Sequence, residues 1–133
     1  MGAGQWVPTA NIDSSLSSYA VKFELSVTKT TPWVNGSIFV AVNYSWTYIA
    51  RYRPWINSAG KTTPFTTTGW TTVTIPLSNF LTNNGTGTQV ASIKDLVGAS
   101  GNNGMNIWYI NYGSTAVTAF TAAIDNIRVV KIK

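Results

Sequence analysis

The sequence predicts an all-β fold in which short antiparallel strands form a sandwich or a barrel. Charged residues make up 10% of the 133 positions, against roughly 25% in an average soluble domain. Polarity comes instead from Thr, Ser and Asn, which favour strands and turns, and runs of the residues that favour long helices are scarce. Apolar and polar residues also alternate in several short segments, the period expected of half-buried strands.

The alternating segments define the candidate strands in chain order. Their apolar residues are Val21, Phe23, Leu25 and Val27; Ile38, Val40 and Val42; Val73, Ile75 and Leu77; and Ile107 with Tyr109. Alternation places Trp108 and Ile110 on the face opposite to Tyr109. The run 124–132 is rich in β-branched residues and predicts a closing strand. Turn-forming residues separate these runs, and a helical turn or two is predicted only within residues 92–97.

A single domain is predicted for residues 1–133, with residues 1–5 as an expression or linker remnant. The length suits one ordinary hydrophobic core, and no internal repeat, linker or shift in composition marks a boundary. The opening segment MGAGQWVP lacks the charged and apolar regions of a signal peptide. No apolar stretch approaches the roughly 20 residues needed to cross a bilayer. We therefore expect a domain that is not itself inserted in a membrane.

The residues that the chain lacks exclude several kinds of site. It contains no Cys and no His, which removes thiolate and imidazole metal ligands, Ser-His and Cys-His nucleophiles, and the usual proton shuttle at neutral pH. Its carboxylates are Asp13, Glu24, Asp95 and Asp125. That supply is thin for a calcium site, which takes about six to eight oxygen ligands. The sequence predicts no metal and no cofactor.

The segment RYRPW, residues 51–55, gathers cationic and aromatic side chains in a weakly charged chain. Strand alternation places Arg51, Arg53 and Trp55 on one face. Two arginines do not point unpaired into a core, so this face is predicted to be the outer one, with Trp55 exposed or half-exposed beside them. Pro54 fits the end or the edge of a strand.

These residue types suit the binding of sugars. A sugar ring offers an apolar C–H face to an indole or phenol ring, and its hydroxyls exchange hydrogen bonds with arginine and amide side chains. The candidate ligand-binding residues are Trp46, Arg51, Arg53, Trp55, Asn106, Trp108 and Tyr112. The alternative is structural, because a tryptophan in such a domain is more often highly buried, and the arginines could pair with Glu24 or Asp125.

Three segments resemble those of β-sandwich carbohydrate-binding modules. Residues 69–80, GWTTVTIPLSNF, resemble the segment in which a tryptophan opens a strand ending in Ile-Pro-Leu, and residues 123–130, AIDNIRVV, resemble the closing strand with its Asp-Asn-Ile-Arg motif. Residues 50–55, ARYRPW, are similar to the Ala-Arg-Tyr-x-Pro-Trp element in C-terminal glycan-binding domains of Bacteroidetes surface glycan-binding proteins. Those proteins accompany Sus-like outer-membrane importers. The resemblance covers most of the chain, from Val21 to Lys131.

The resemblance implies a jelly-roll-like sandwich that captures a polysaccharide at the cell surface without cleaving it. The implied partners are a neutral plant or yeast glycan, such as a β-glucan, xyloglucan or mannan, and other domains of a larger outer-membrane lipoprotein. Arg51 and Trp55 carry over by motif, and the other candidates rest on side-chain chemistry. Trp70 is assigned to the core because it opens the strand that contains Val73. Asp125 is expected to form a salt bridge or a hydrogen bond into a turn.

Three other functions stay open at this point. A glycoside hydrolase needs two carboxylates at a suitable spacing with one pKa raised, which four acidic residues supply poorly. Binding of single-stranded nucleic acid also uses exposed aromatics and basic charge, but the net charge of +5 is dispersed along the chain. The third is a structural or adhesive sandwich that has no ligand.

Overall fold

A computed structural model of the protein describes residues 2–3, 15–30, 36–42, 47–97, 105–111 and 116–133. Within these ranges the chain forms two antiparallel sheets with few helical residues, which confirms the all-β sandwich expected from the sequence. The strands are β1 (Gly2–Ala3), β2 (Tyr19–Thr30), β3 (Gly36–Ala41), β4 (Ile49–Tyr52), β5 (Thr71–Pro76), β6 (Met105–Asn111) and β7 (Phe120–Lys131).

The four-stranded sheet, sheet A, has the order β1-β6-β3-β4, and the three-stranded sheet, sheet B, has the order β5-β2-β7. The short helical segments are Leu16–Ser18 and Leu77–Asn79, both 3₁₀, and α1 (Thr82–Gly85) and α2 (Ile93–Val97). The helical turn expected within residues 92–97 is therefore confirmed, whereas the other three helical segments are not predicted from the sequence. Across the described ranges, no helix is long and apolar enough to span a bilayer.

One hydrophobic core fills the space between the two sheets. The apolar faces predicted for β2, β3 and β5 are buried in it, and apolar side chains of β7 pack against them. Phe23 of sheet B meets Tyr52 of sheet A edge-on, with ring centroids 6.4 Å apart. Full burial of a large apolar side chain contributes about 1.5–3 kcal/mol. The period-two pattern of β2 therefore decides which of its faces turns inward.

A second, smaller cluster lies on the outer face of sheet A. Phe39, Ala41 and Ile49 are fully buried there, and side chains of β6 pack against them. The composition of β3 explains this cluster, because residues 38–42 are apolar at every position, as in a strand that is covered on both faces. The outer face of sheet A therefore carries a buried apolar cluster with half-buried apolar side chains packed against it.

The closing motif builds a β-bulge in β7. Lys22 pairs with Arg128 and Glu24 pairs with Asp125, so three steps along β7 match two along β2. Asn126, within the longer stretch, has a φ of 50°, a left-handed conformation that asparagine tolerates better than most residues. Its N–H donates to the carboxylate of Asp125 at 2.7 Å. The hydrogen bond expected of Asp125 is present, but it lies in a strand bulge and not in a turn.

Glu24 anchors a polar network on the outer face of sheet B. Its carboxylate accepts a hydrogen bond from Thr72 Oγ1 at 2.8 Å and pairs with Arg128 Nη2 at 3.0 Å. These two hydrogen bonds, the one from Thr72 first, lower the pKa of Glu24 from its ordinary value. Glu24, one of the two carboxylates considered as a partner for Arg51 or Arg53, thus pairs with Arg128.

Glu24→Gln is expected to remove part of the acid sensitivity of folding. Because the folded-state pKa lies below the unfolded value, the ionised carboxylate stabilises the fold above its ordinary pKa, and this contribution is lost as the pH falls through the folded value. The wild type should therefore melt at a higher temperature than Glu24→Gln at pH 7. The difference should shrink between roughly pH 5 and pH 3. Thermal melts across this range measure it, and a constant difference would contradict it.

The assignment of Trp70 to the core is wrong. Its side chain is 55% exposed, and it precedes β5, which begins at Thr71. The first inward position of that strand is Val73. Trp70 therefore lies at the surface next to β5, the edge strand of sheet B.

Candidate functional site

The outer face of sheet A brings together four of the residues predicted to bind a ligand. Arg51 lies on β4, Arg53 follows it, and Asn106 and Trp108 lie on β6. Strand β3 runs between β4 and β6, and its Phe39 is the cross-strand partner of both Arg51 and Trp108. We call Arg51, Phe39 and Trp108 the cross-strand row. With about 4.8 Å between neighbouring strands, its two ends have Cα atoms roughly 10 Å apart.

Arg51 is held from two sides. Its guanidinium carbon lies 5.1 Å from the centroid of the Phe39 ring, the geometry of a cation–π contact. Its Nε donates a hydrogen bond to the backbone carbonyl of Asn84 at 2.5 Å. The side chain is half-buried, so the guanidinium is an ordered part of this face, with its Nη donors on a rigid planar fork.

Arg53 adds a second cation close to the first. Its Nε donates to the Gly36 carbonyl at 3.1 Å. Partial burial, and then the neighbouring charge of Arg51, lowers the pKa of Arg53 from its ordinary value. Because a guanidinium keeps its proton in proteins, both side chains are charged at neutral pH. Two such groups in one place favour electron-rich partners such as hydroxyl oxygens.

Trp108 and Asn106 are the other two predicted ligand-binding residues on this face. Trp108 is half-buried and packs against the buried outer cluster, so its indole is supported from below. Asn106 precedes it by two residues on the same strand and therefore shares its face, and its amide both donates and accepts hydrogen bonds. The remaining candidates, Trp46 and Tyr112, lie outside the described residues.

The expected exposure of Trp55 is wrong, because its side chain is fully buried. Strand β4 ends at Tyr52, and a turn follows in which the N–H of Ile56 donates to the carbonyl of Arg53 at 3.1 Å. Alternation holds only inside a strand. The turn therefore carries the indole to the inner side, where it meets the ring of Phe120 edge-on at 6.4 Å. Trp55 is a core residue in this structure and offers no surface for stacking.

Two features of this face are not anticipated by the sequence reading. Phe39 lies beneath Arg51, and the unbroken apolar run 38–42 is the signal that could have revealed it. The turn at residues 83–85, which the sequence marks only as a connection between strands, reaches the side chain of Arg51. No local pattern links two segments so far apart in the chain.

The family model described as the surface glycan-binding protein B xyloglucan binding domain matches residues 2–131. The chain belongs to this family. Its fold is similar to that in the crystal structure of the surface glycan-binding protein PbSGBP-B from Prevotella bryantii, with a TM-score of 0.55 and 21% sequence identity. The similarity covers 97% of this chain and 41% of that protein, so the chain spans less than half of its structural relative. No curated protein sequence matches the chain.

Family membership confirms the resemblance carried by the three sequence segments, and each segment now has a place in the fold. Residues 69–80 lead into β5 and the 3₁₀ turn that follows it, and residues 123–130 form the bulged part of β7. These two segments contribute to the two outer strands of sheet B. Residues 50–55 contribute arginines to the outer face of sheet A and a tryptophan to the core.

Each carboxylate of the described chain makes a structural contact. Glu24 and Asp125 lie on sheet B, and Asp95 accepts a hydrogen bond from the Ser92 hydroxyl at 2.7 Å. The acid of a hydrolytic pair needs a raised pKa, whereas the pKa of Glu24 is lowered. Within the described ranges, no group of three or more potential metal-ligating side chains occurs.

Proposed function

We propose that this domain captures a polysaccharide of the xyloglucan type at the bacterial cell surface, on the outer face of sheet A, and does not cleave it. The cross-strand row is the observation that carries the proposal. It sets the indole of Trp108 on β6 and the fixed guanidinium of Arg51 on β4, on either side of the buried Phe39 of β3. The name of the family supports xyloglucan over the mannan and the other β-glucans that the sequence leaves open.

In this proposal, two kinds of side chain in and beside the cross-strand row contact the sugar. The indole of Trp108 takes the apolar C–H face of a sugar ring, as aromatic side chains do when one side of a ligand is apolar. The guanidinium groups of Arg51 and Arg53 and the amide of Asn106 exchange hydrogen bonds with the ring hydroxyls. Phe39, which is fully buried, acts from below by holding Arg51 in place.

We expect capture along a polymer and not capture of a chain end. A sheet face lets a long chain enter and leave at both sides, whereas an enclosed pocket accepts only a terminus. The described part of this face also carries cations and an amide without a carboxylate, which suits neutral hydroxyls. Interior segments of a neutral polysaccharide are therefore the proposed ligand.

The proposed setting is a larger lipoprotein at the outer membrane, in which other domains hold this one away from the cell. The structural relative PbSGBP-B is a surface glycan-binding protein more than twice as long as the matched segment, which supports such an arrangement. The proposed partners are thus the polysaccharide and the other domains of the parent protein, with neither nucleic acid nor direct membrane insertion.

Arg51→Ala is expected to weaken retention of the domain in xyloglucan gels about tenfold or more, because losing hydrogen bonds to a charged group costs roughly 1.5–3 kcal/mol. Affinity electrophoresis against a panel of neutral polysaccharides measures this effect. Lys22→Ala is the matched control, since it removes one positive charge from sheet B, on the other side of the sandwich. It should leave retention unchanged.

The same gels separate the competing functions. Stacking on neutral sugars should change little between about 50 and 200 mM salt, whereas binding to phosphate backbones weakens steeply over that range. Release of reducing sugar from the bound glycan would establish a hydrolase. A wild-type domain that no neutral polysaccharide retards would contradict the proposal and favour the sandwich without a ligand.

A further inference from the structure

The segment Thr82–Gly85 forms one helical turn in which three residues have a left-handed backbone conformation. Asn83 has φ 50° and ψ 55°, Asn84 has φ 55° and ψ 36°, and Gly85 follows with φ 81°. Three consecutive left-handed residues are rare because the Cβ of an L-residue crowds the following carbonyl there. Asparagine and glycine are the residues that bear this conformation best. Strained backbone of this kind persists where the surroundings determine it, and it concentrates at functional sites.

The turn is fastened to the edge of sheet A. Leu81, just before it, exchanges two backbone hydrogen bonds with Ile49 of β4, at 2.9 and 3.1 Å, so the chain extends the sheet beyond its edge strand. Thr82 closes the loop on itself. Its N–H donates to the Thr88 carbonyl, its carbonyl accepts from the Gly87 N–H, and its hydroxyl accepts from the Thr88 N–H, all at 2.9 Å. The turn is therefore fixed relative to β4.

The left-handed turn meets Arg51 directly. The carbonyl of Asn84 accepts the hydrogen bond from Arg51 Nε, and the side-chain position of Gly85 faces the aliphatic part of the same arginine. A Cβ at position 85 would lie 2.9 Å from Arg51 Cγ and 3.0 Å from the carbonyl oxygen of Ile49. Glycine is required there for two reasons, the positive φ and the close approach.

We propose that the Asn83–Gly85 turn is a positioning element that fixes the guanidinium of Arg51 for sugar hydroxyls, an inference that rests on the proposed function. Ordering a long side chain on binding costs free energy, and a side chain that is ordered beforehand avoids that cost. The turn holds Nε from one side, and the ring of Phe39 supports the guanidinium on the other. The turn thus acts on the ligand through Arg51.

Gly85→Ala is the direct test. The new Cβ must displace the Arg51 side chain, and we expect retention by xyloglucan to weaken roughly fivefold to tenfold, close to the effect of Arg51→Ala. Gly60→Ala is the matched control, because Gly60 also has a positive φ, of 74°, and a Cβ there meets nothing within 4 Å. It imposes the same backbone strain and should leave retention within about twofold of the wild type.

A double-mutant cycle distinguishes positioning from general damage. If the turn acts through Arg51, adding Gly85→Ala to Arg51→Ala should weaken retention no further, since the two changes remove one interaction. Equal further weakening in the Arg51→Ala background would overturn the proposal. Thermal melts establish that each variant compared in the gels is folded.

A measurement on the wild type does not depend on any variant folding. The Arg51 Nε–H should exchange with solvent at least about tenfold more slowly than that of a free arginine, because it donates to Asn84. Exchange as fast as in free arginine would overturn the proposal. The two proposals also fail separately. Xyloglucan retention that Arg51→Ala reduces but Gly85→Ala does not would overturn the positioning role alone, and absence of any glycan retention would overturn the function.

Discussion

Replacing Trp55 with Ala is expected to lower the free energy of unfolding by about 3–5 kcal/mol, the usual cost of truncating a large buried aromatic. The indole is fully buried between the sheets and meets Phe120 edge-on, so its removal leaves a cavity that a rigid sandwich fills poorly. Domains of this size have only about 5–15 kcal/mol in total. The unfolding temperature should therefore fall by on the order of 10–20 °C, as a thermal melt followed by circular dichroism would measure.

Trp70→Ala is the matched control for this prediction. It makes the same chemical change at a side chain that is 55% exposed, and we expect a loss within about 1 kcal/mol. Similar melting temperatures for the two variants would contradict the core position of Trp55. The comparison also affects how binding experiments are read, because loss of glycan retention in Trp55→Ala would report unfolding of the domain and not a sugar platform.

The fold could be predicted from the sequence because strand alternation is a local signal with a large energetic consequence. Val21, Phe23, Leu25 and Val27 alternate with polar residues through β2, and burying the opposite face would put Lys22 and Glu24 in the core. No such penalty decides the position of a residue beyond the end of a strand. Both wrong tryptophan assignments lie at such ends, Trp55 after β4 and Trp70 before β5.

Those two errors have one physical origin. A tryptophan gains free energy from burial on whichever side offers space, and that space depends on the path of a turn. The turn after Arg53 carries Trp55 inward, and the register of β5 leaves Trp70 outside. Composition and periodicity carry no information on either path, so a motif that resembles a binding element can still place its aromatic residue in the core.

The candidate site could be predicted in part, for the same reason. Arg51 and Trp108 lie within strands, where parity and the cost of burying a charge identify the outer face. Their meeting across Phe39 depends on the order of strands in sheet A, which pairs β3 with both neighbours. The contact between Arg51 and Asn84 joins segments that are distant in the chain. Such contacts arise from tertiary structure alone.

Trp108→Ala is expected to reduce affinity for xyloglucan by about 30-fold, the effect of removing an aromatic anchor worth roughly 2 kcal/mol. The cross-strand row has two aromatic side chains. Trp108 is half-buried, whereas Phe39, beneath Arg51, is fully buried. Trp108→Phe should retain part of the affinity, because a smaller ring keeps some stacking area. Affinity electrophoresis or calorimetry with xyloglucan oligosaccharides measures the series.

The control for Trp108→Ala is again Trp70→Ala, which removes an exposed indole from the opposite sheet. Under the proposed function it should bind as the wild type does, after both variants are shown by thermal melts to be folded. The reverse result, with binding lost in Trp70→Ala and kept in Trp108→Ala, would move the glycan site to sheet B. Because Arg51 lies on sheet A and Asn84 lies in the turn fastened to its edge, it would also separate the left-handed turn from any role in binding.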